Sequence, residues 1–225
     1  ALEDGAVGFA SLIVYLVMGV WLGRILVETG IAETIIRYAI EWAGDRRLLA
    51  TLLLCAACTF IATAMPGGAP GTIALGVIVL PLMFQLEIPR SIAVTLFMGS
   101  LGAGWFISPA VAVPYTAFFG GEKVILYTNV FPYLLVGLIV YLLVVWVTAI
   151  FYLSRHRAKG AAYTIPQKTE GRRVPWYALI TPAIPVLLLV SGLKIGVVVS
   201  FLVAILYGLL TSGRRSVTEQ IDLLN

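Results

Sequence analysis

Apolar residues run along this chain in long blocks separated by short polar joints, and the block lengths predict helices that cross or enter a bilayer. The block at 7–27 has the roughly 20 residues a spanning helix needs. Gly19 and Gly23 stand four apart in it, the spacing that lets two membrane helices approach closely. Over 31–44 the pattern changes: Glu33, Arg37 and Glu41 recur every fourth residue, while Ile31, Ile35, Tyr38, Ala39 and Trp42 fall on the other side. That periodicity predicts an amphipathic, interfacial helix in the plane of the membrane surface, in preference to the frayed end of the first span.

The blocks at 48–64 and 72–84 are 17 and 13 residues long, short of the about 20 that a crossing takes. Charges stand at both outer ends, Asp45, Arg46 and Arg47 before the pair, Glu87 and Arg90 after it. A re-entrant helical hairpin over 48–84, entering and leaving on one face, satisfies both observations. The block at 92–106 starts a new crossing, is interrupted at Ser108-Pro109-Ala110-Val111-Ala112-Val113-Pro114 and reaches the far side at 120–123. A discontinuous helix is therefore expected over 90–120. Residues 127–153 span, and 176–190 and 197–210 make two more ordinary spans. The organisation is a repeat unit over 1–123, a spanning helix over 124–153, a basic loop over 154–174 and two spans with a polar exit over 175–225.

Between the two hairpin arms lies Met65-Pro66-Gly67-Gly68-Ala69-Pro70-Gly71. Two prolines and three glycines in seven residues remove amide donors and add backbone freedom, which ends a helix. Hydrocarbon offers no partner to a bare N–H or C=O, so unwound backbone survives at membrane depth only inside protein or along a polar cavity. Two broken helices in one membrane chain point to the binding site of a carrier.

Composition agrees with an all-α integral membrane protein: 60% of residues are hydrophobic and 12% charged, with a mean hydropathy of +1.02. A soluble domain carries roughly a quarter charged residues. The first residues, Ala1-Leu2-Glu3-Asp4-Gly5, lack an initiator Met and the marks of a signal peptide, so the chain is expected to begin inside a longer one. The net charge of +4 does not point to nucleic acid, because the basic residues sit in connecting loops. Residues 155–173 hold six Lys or Arg against one acid, Glu170, and should be cytoplasmic. Walking outward from that loop places thirteen of the fifteen basic residues on the cytoplasmic side, leaving only Lys123 and Lys194 outside. A bacterial or archaeal inner membrane is the expected location.

Candidate chemistry is sparse. Cys55 and Cys58 form a C-x-x-C within an apolar helical run that has no His, Asp or Glu nearby, and read as packed small residues in preference to a redox or metal pair. His156, the single histidine, stands in a basic loop with no second ligand to complete a site. No nucleophile, base and metal-ligand set can be assembled, so an enzyme is not expected. The expected substrate-binding residues are Gly67, Gly68, Ala69, Gly71 and Thr72 at the hairpin tip, with Ser108 and Thr116 at the second break. Breaks of this kind bring bare N–H groups and positive helix ends together, which favours an anion. Thr72 is expected to cap the second hairpin arm, and Ser108 to cap the helical restart or donate to a carboxylate. Tyr115 adds a hydroxyl. Gly102 and Gly104 either admit substrate or, more simply, pack helices. No charged side chain lies deep in a span, so a coupling ion, H+ or Na+, would use break carbonyls or residues of a second half.

Several strings resemble the gluconate permease family of the ion transporter superfamily. They are Leu2-Glu3-Asp4-Gly5, then Leu22-Gly23-Arg24-Ile25-Leu26-Val27-Glu28-Thr29-Gly30-Ile31-Ala32-Glu33, the Val79-Leu80-Pro81-Leu82 string and the Pro-rich second break. The likeness covers about 2–120 and extends weakly to the Gly213-Arg214-Arg215-Ser216 exit. It implies inverted repeats, each with a re-entrant hairpin and a broken helix, of which this chain is the first. A second half after Asn225, a homodimer and transport of organic anions with H+ or Na+ follow from the resemblance. Two family features are missing: the hydroxyl-amide triplet of some sodium-coupled dicarboxylate relatives, and the histidine that gluconate permeases often carry near their paired prolines. The expected activity is elevator-type secondary active transport of a gluconate-like hydroxy acid or a di- or tricarboxylate. The alternatives are a cation/proton antiporter on the same fold and a non-transporting membrane scaffold subunit, for which continuous helices through 66–71 would speak.

Overall fold

The computed structural model describes residues 2–44, 46–65, 69–116, 123–155, 174–191, 193 and 195–211, with side chains left aside at 2–9, 11–12, 69–70, 114–116 and 123–126. Every regular element among them is helical, so the fold is all-α.

Helix α1, Leu2–Glu28, is closed by Thr29, whose N–H and hydroxyl both return to the carbonyl of Ile25. Gly30 follows at φ 80°, in the left-handed region where glycine is at ease. The chain turns there by 60° into α2, Ile31–Ala43. A helix is thus present where the amphipathic one was expected, and of its expected apolar side Ile31 is buried. Ala32, Ile36, Ile40 and Ala43 are buried, whereas Tyr38 and Trp42 stand exposed. The fourfold charge spacing found the polar stripe correctly. It did not show that apolar residues occupy two separate faces beside it.

Helix α3, Arg47–Ala62, and α4, Ala69–Gln85, occupy the two blocks expected to form the hairpin. At 16 and 17 residues they are about 24 and 25 Å long. Their outer ends are tied together. Arg47 of α3 donates from Nε to the carbonyl of Leu86 at 2.5 Å and from Nη2 to that of Glu87 at 2.7 Å. The body of α3 packs chiefly on α5, Arg90–Trp105, and α2, while α4 packs on α1 and α5.

The second interruption is shorter and earlier than the proline spacing predicted. Only Phe106, Ile107 and Ser108 leave the helix, and α6 runs over Pro109–Thr116. Pro109 occupies the first helical position, where its missing N–H is no loss and its φ already suits a helix.

Helix α7, Lys123–Arg155, has 33 residues and contains the stretch Tyr127–Arg155, long and apolar enough to cross a membrane. By the same criterion the bent pair α1 and α2 together form a second candidate.

The block at 176–190 is not one ordinary span. It is a 3₁₀ helix over Trp176–Ala183 followed by α8, Ile184–Val190. Pro182 and Pro185 deny the α-helical bond pattern the donors it needs across the junction. Helix α9, Val197–Thr211, completes the bundle.

Register follows from the contacts. Gly99 lies against Val145, Gly102 against Tyr141, and Phe106 against Gly137, so α5 and α7 are antiparallel. Thr128 donates to Leu189 and Tyr207 to Tyr177, while Gly208 faces Ile25 and Ile31. Glu28, Arg47, Leu86, Arg90, Arg155, Trp176 and Thr211 therefore lie toward one end of the bundle, the set that the charge distribution assigns to one membrane face.

Candidate functional site

Three interruptions meet inside the bundle. Helix α3 leaves its α-helical course by tightening: the N–H groups of Thr63, Ala64 and Met65 bond to the carbonyls three residues back, at 3.1 to 3.3 Å. Helix α5 ends likewise, with Phe106 N–H on Ala103 and Ser108 N–H on Trp105. Such tightening satisfies amide donors but leaves carbonyls over. Each interruption finds a side-chain donor for one of them. Trp105 Nε1 donates to the Met65 carbonyl at 2.9 Å, Tyr127 Oη to that of Ile107 at 2.7 Å, and Thr63 Oγ1 to that of Pro182 at 3.2 Å. The first bond joins the hairpin break to the broken helix. The third joins the hairpin break to the junction between the 3₁₀ helix and α8.

Met65 is the centre of this arrangement. Its side chain is buried between α1 and α4: a Cβ added at Gly23 would stand 2.9 Å from its Cε, and one at Gly71 would collide with the same methyl. The two glycines make the slot that the thioether fills.

Ser108 is wholly buried at the entrance to α6. Its carbonyl accepts the N–H groups of Val111 and Ala112, at 3.1 and 2.8 Å, as the first turn of the helix requires. Its Oγ has no hydrogen-bond partner. The hydroxyl therefore does not cap the helix, contrary to one of its two expected roles, and is left as a buried donor and acceptor beside a positive helix end.

The other expected residues divide. Gly71 meets Met65 at the hairpin break. Thr72 is the fourth residue of α4, since the helix already restarts at Ala69, and so it stands past the capping position. Ala69 opens that helix where unwound backbone was expected, with Pro70 in its first turn. Gly67 and Gly68 lie outside the described residues, as do His156 and most of the basic loop. Thr116 ends α6, eight residues beyond Ser108, or about 12 Å along the helix. It is not beside the break.

Gly104 is a packing residue: a Cβ there would strike the Thr59 carbonyl, and it lies against Ala62. Gly102 packs on the Tyr141 ring. Cys55 and Cys58 are buried and free on α3, packed in the core. Among the described residues no group of three or more His, Cys, Asp or Glu could hold a metal ion.

Sequence reasoning missed Thr63, Trp105, Tyr127 and the junction at Pro182. The signal for the last was present in Thr181-Pro182-Ala183-Ile184-Pro185, two prolines in the middle of an apolar block. The donors Thr63, Trp105 and Tyr127 carried no local signal, because each acts on a carbonyl far away in sequence. No family model matches this chain, and neither the curated proteins nor the solved structures contain a match.

Proposed function

We propose that this chain is one repeat of an elevator-type secondary active transporter of the ion transporter superfamily, carrying a small organic anion with H+ or Na+. The anion would be a gluconate-like hydroxy acid or a di- or tricarboxylate. The observation that carries this reading is the bond from Trp105 to the Met65 carbonyl, which brings two helix interruptions together beside the buried, unpartnered Ser108 hydroxyl. Discontinuous helices meeting in this way are the usual build of a carrier's binding site.

The sign of the ligand follows from what the breaks leave over. The carbonyls of Met65, Ile107 and Pro182 each already accept a side-chain donor. The buried Ser108 hydroxyl beside the positive end of α6 is a donor left over, and a donor there favours a carboxylate. The hairpin of α3 and α4, closed at its outer end by Arg47, supplies the moving part. A second repeat, a homodimer and an inner-membrane location complete the proposal.

The test is uptake by the full-length protein in proteoliposomes, with gluconate and a panel of di- and tricarboxylates under imposed proton or sodium gradients. Gradient-driven uptake of at least one supports the reading, and no uptake of any carboxylate overturns it. Bulky replacement at Gly67 or Gly68 should lower uptake more than the same change at Gly19. Equal losses at all three would remove the hairpin tip from the site.

A further inference from the structure

Helix α4 keeps one side uncovered. Leu75, Val79 and Met83 are buried in the bundle, while Ile73, Val77, Pro81 and Phe84 form a stripe on the opposite side and are exposed, Val77 at 70%. Three of the four suit a helix that faces lipid. Pro81 changes the picture. It has no N–H, so the carbonyl of Val77, four residues back, loses its α-helical donor, and the proline ring crowds that carbonyl outward on the uncovered side. Val77 stands eight residues from either end of α4, about 12 Å along the helix. In a hydrocarbon core about 30 Å thick this lies beyond the reach of headgroup water.

Helix α7 provides the contrast. Its interior proline, Pro132, frees the carbonyl of Thr128, but Thr128 lies five residues from the start of the helix, about 8 Å along it, at the margin of the apolar stretch that begins at Tyr127. Interfacial water reaches that depth. The exposed side of α7 beyond Pro132, with Val136, Val140 and Val147, contains no further proline. Lipid can therefore cover α7, whereas on α4 it would leave a bare acceptor that hydrocarbon does not satisfy.

We propose that the uncovered side of α4 is covered by a membrane helix of the second repeat, which brings a hydroxyl, amide or indole donor to the Val77 carbonyl. The inference rests on the membrane-embedded second repeat of the reading above and needs no transport. Backbone left over at membrane depth is tolerated inside protein or along a water-filled cavity. A wall of Ile73, Val77, Pro81 and Phe84 does not suit water. A second copy of this chain does not suit the face either. A twofold dimer sets the same patch against itself, so the Val77 carbonyl would meet its own equivalent, and none of the four side chains is a donor. A helix of the second repeat is free of that symmetry. Since α4 leads out of the hairpin break, such a helix also borders the proposed site.

The experiment places the photocrosslinker benzoylphenylalanine at Val77, and separately at Val140, in the full-length protein in proteoliposomes, with products identified by mass spectrometry. Ile73, on the same stripe, replaces position 77 if the larger side chain there prevents folding. The expected result is lipid adducts at 140 and, on α4, a crosslink within the same chain to one helix beyond Asn225. Lipid adducts on α4 as abundant as those at 140, a crosslink between two copies, or a probe left unreacted as in water would overturn the proposal and leave membrane embedding intact. Absence of lipid adducts at 140 would remove the embedded reading and the proposal with it. The donor is tested by replacing it, on the crosslinked helix, with an apolar isostere. The unfolding midpoint should fall in the unsubstituted background and much less beside Pro81→Ala, where Val77 regains an N–H. Equal falls in both backgrounds would overturn the assigned hydrogen bond.

Discussion

The indole N–H of Trp105 points at the carbonyl oxygen of Met65 across 2.9 Å, so the last residue of α5 holds the break that follows α3. Neither residue is charged and they are forty positions apart in the chain. Their bond nevertheless determines whether the two interruptions form one site or two unrelated defects.

Replacing Trp105 by Phe keeps most of the ring and removes the donor. The Met65 carbonyl then loses its side-chain partner, at a cost of about 1 kcal/mol. The expected result is a lower midpoint in thermal unfolding followed by circular dichroism in nanodiscs, together with reduced uptake. An unchanged midpoint with unchanged uptake would show that this bond does not hold the breaks together.

Ser108→Ala separates binding from folding. The hydroxyl is buried and unpartnered, so its removal leaves no orphaned group behind and should leave stability equal or slightly higher. Affinity for the proposed anion should fall by roughly tenfold, the equivalent of one hydrogen bond to a charged group. A clear loss of stability with unaltered affinity would assign Ser108 to packing.

Gly104→Ala drives a methyl into the Thr59 carbonyl and against Ala62, where α3 backbone has to move. A loss of about 1–3 kcal/mol is expected. Gly196→Ala is the control, because nothing lies within 4 Å of the added carbon. Matching unfolding curves for the two variants would contradict the close contact of α3 with α5.

Glu87 sits at φ 56° just beyond α4, with its N–H on Phe84 and the following Ile88 N–H on Met83. This is the glycine-type helix ending with a side chain in place of glycine. Glu87→Gly should stabilise the protein by about 1 kcal/mol by removing the left-handed strain. The carbonyl that Arg47 holds is kept. A lowered unfolding midpoint would show that the Glu87 side chain offsets its own strain.

Legibility in the sequence depended on whether a feature is local. The end of α3 was visible because Pro66 cannot continue a helix, and the polar stripe of α2 because Glu33, Arg37 and Glu41 keep a fourfold beat. The proline spacing misplaced the second break, since Pro109 at a helix start is favourable and does not interrupt. In the block at 176–190 the opposite happened: hydrophobicity alone read as one span, while Pro182 and Pro185 had already made a uniform α-helix unfavourable. Trp42 was read with Ile31 on one apolar side of α2, yet Ile31 is buried and Trp42 exposed, because periodicity separates polar from apolar residues but cannot distinguish apolar positions that cover protein from those that do not.

By itself the sequence determined that the chain is helical, where its long apolar blocks lie, that two of them are interrupted, and which ends carry the charge. These are properties of neighbouring residues: backbone donors, side-chain spacing and the cost of burying a polar group. Tertiary structure alone decided that Trp105 ties the break after α5 to Met65, that Gly23 and Gly71 form the slot of its side chain, and that Ser108 is left without a partner. Each of these depends on which surfaces pack together, and side chains distant in sequence become neighbours only when the apolar blocks close over one another.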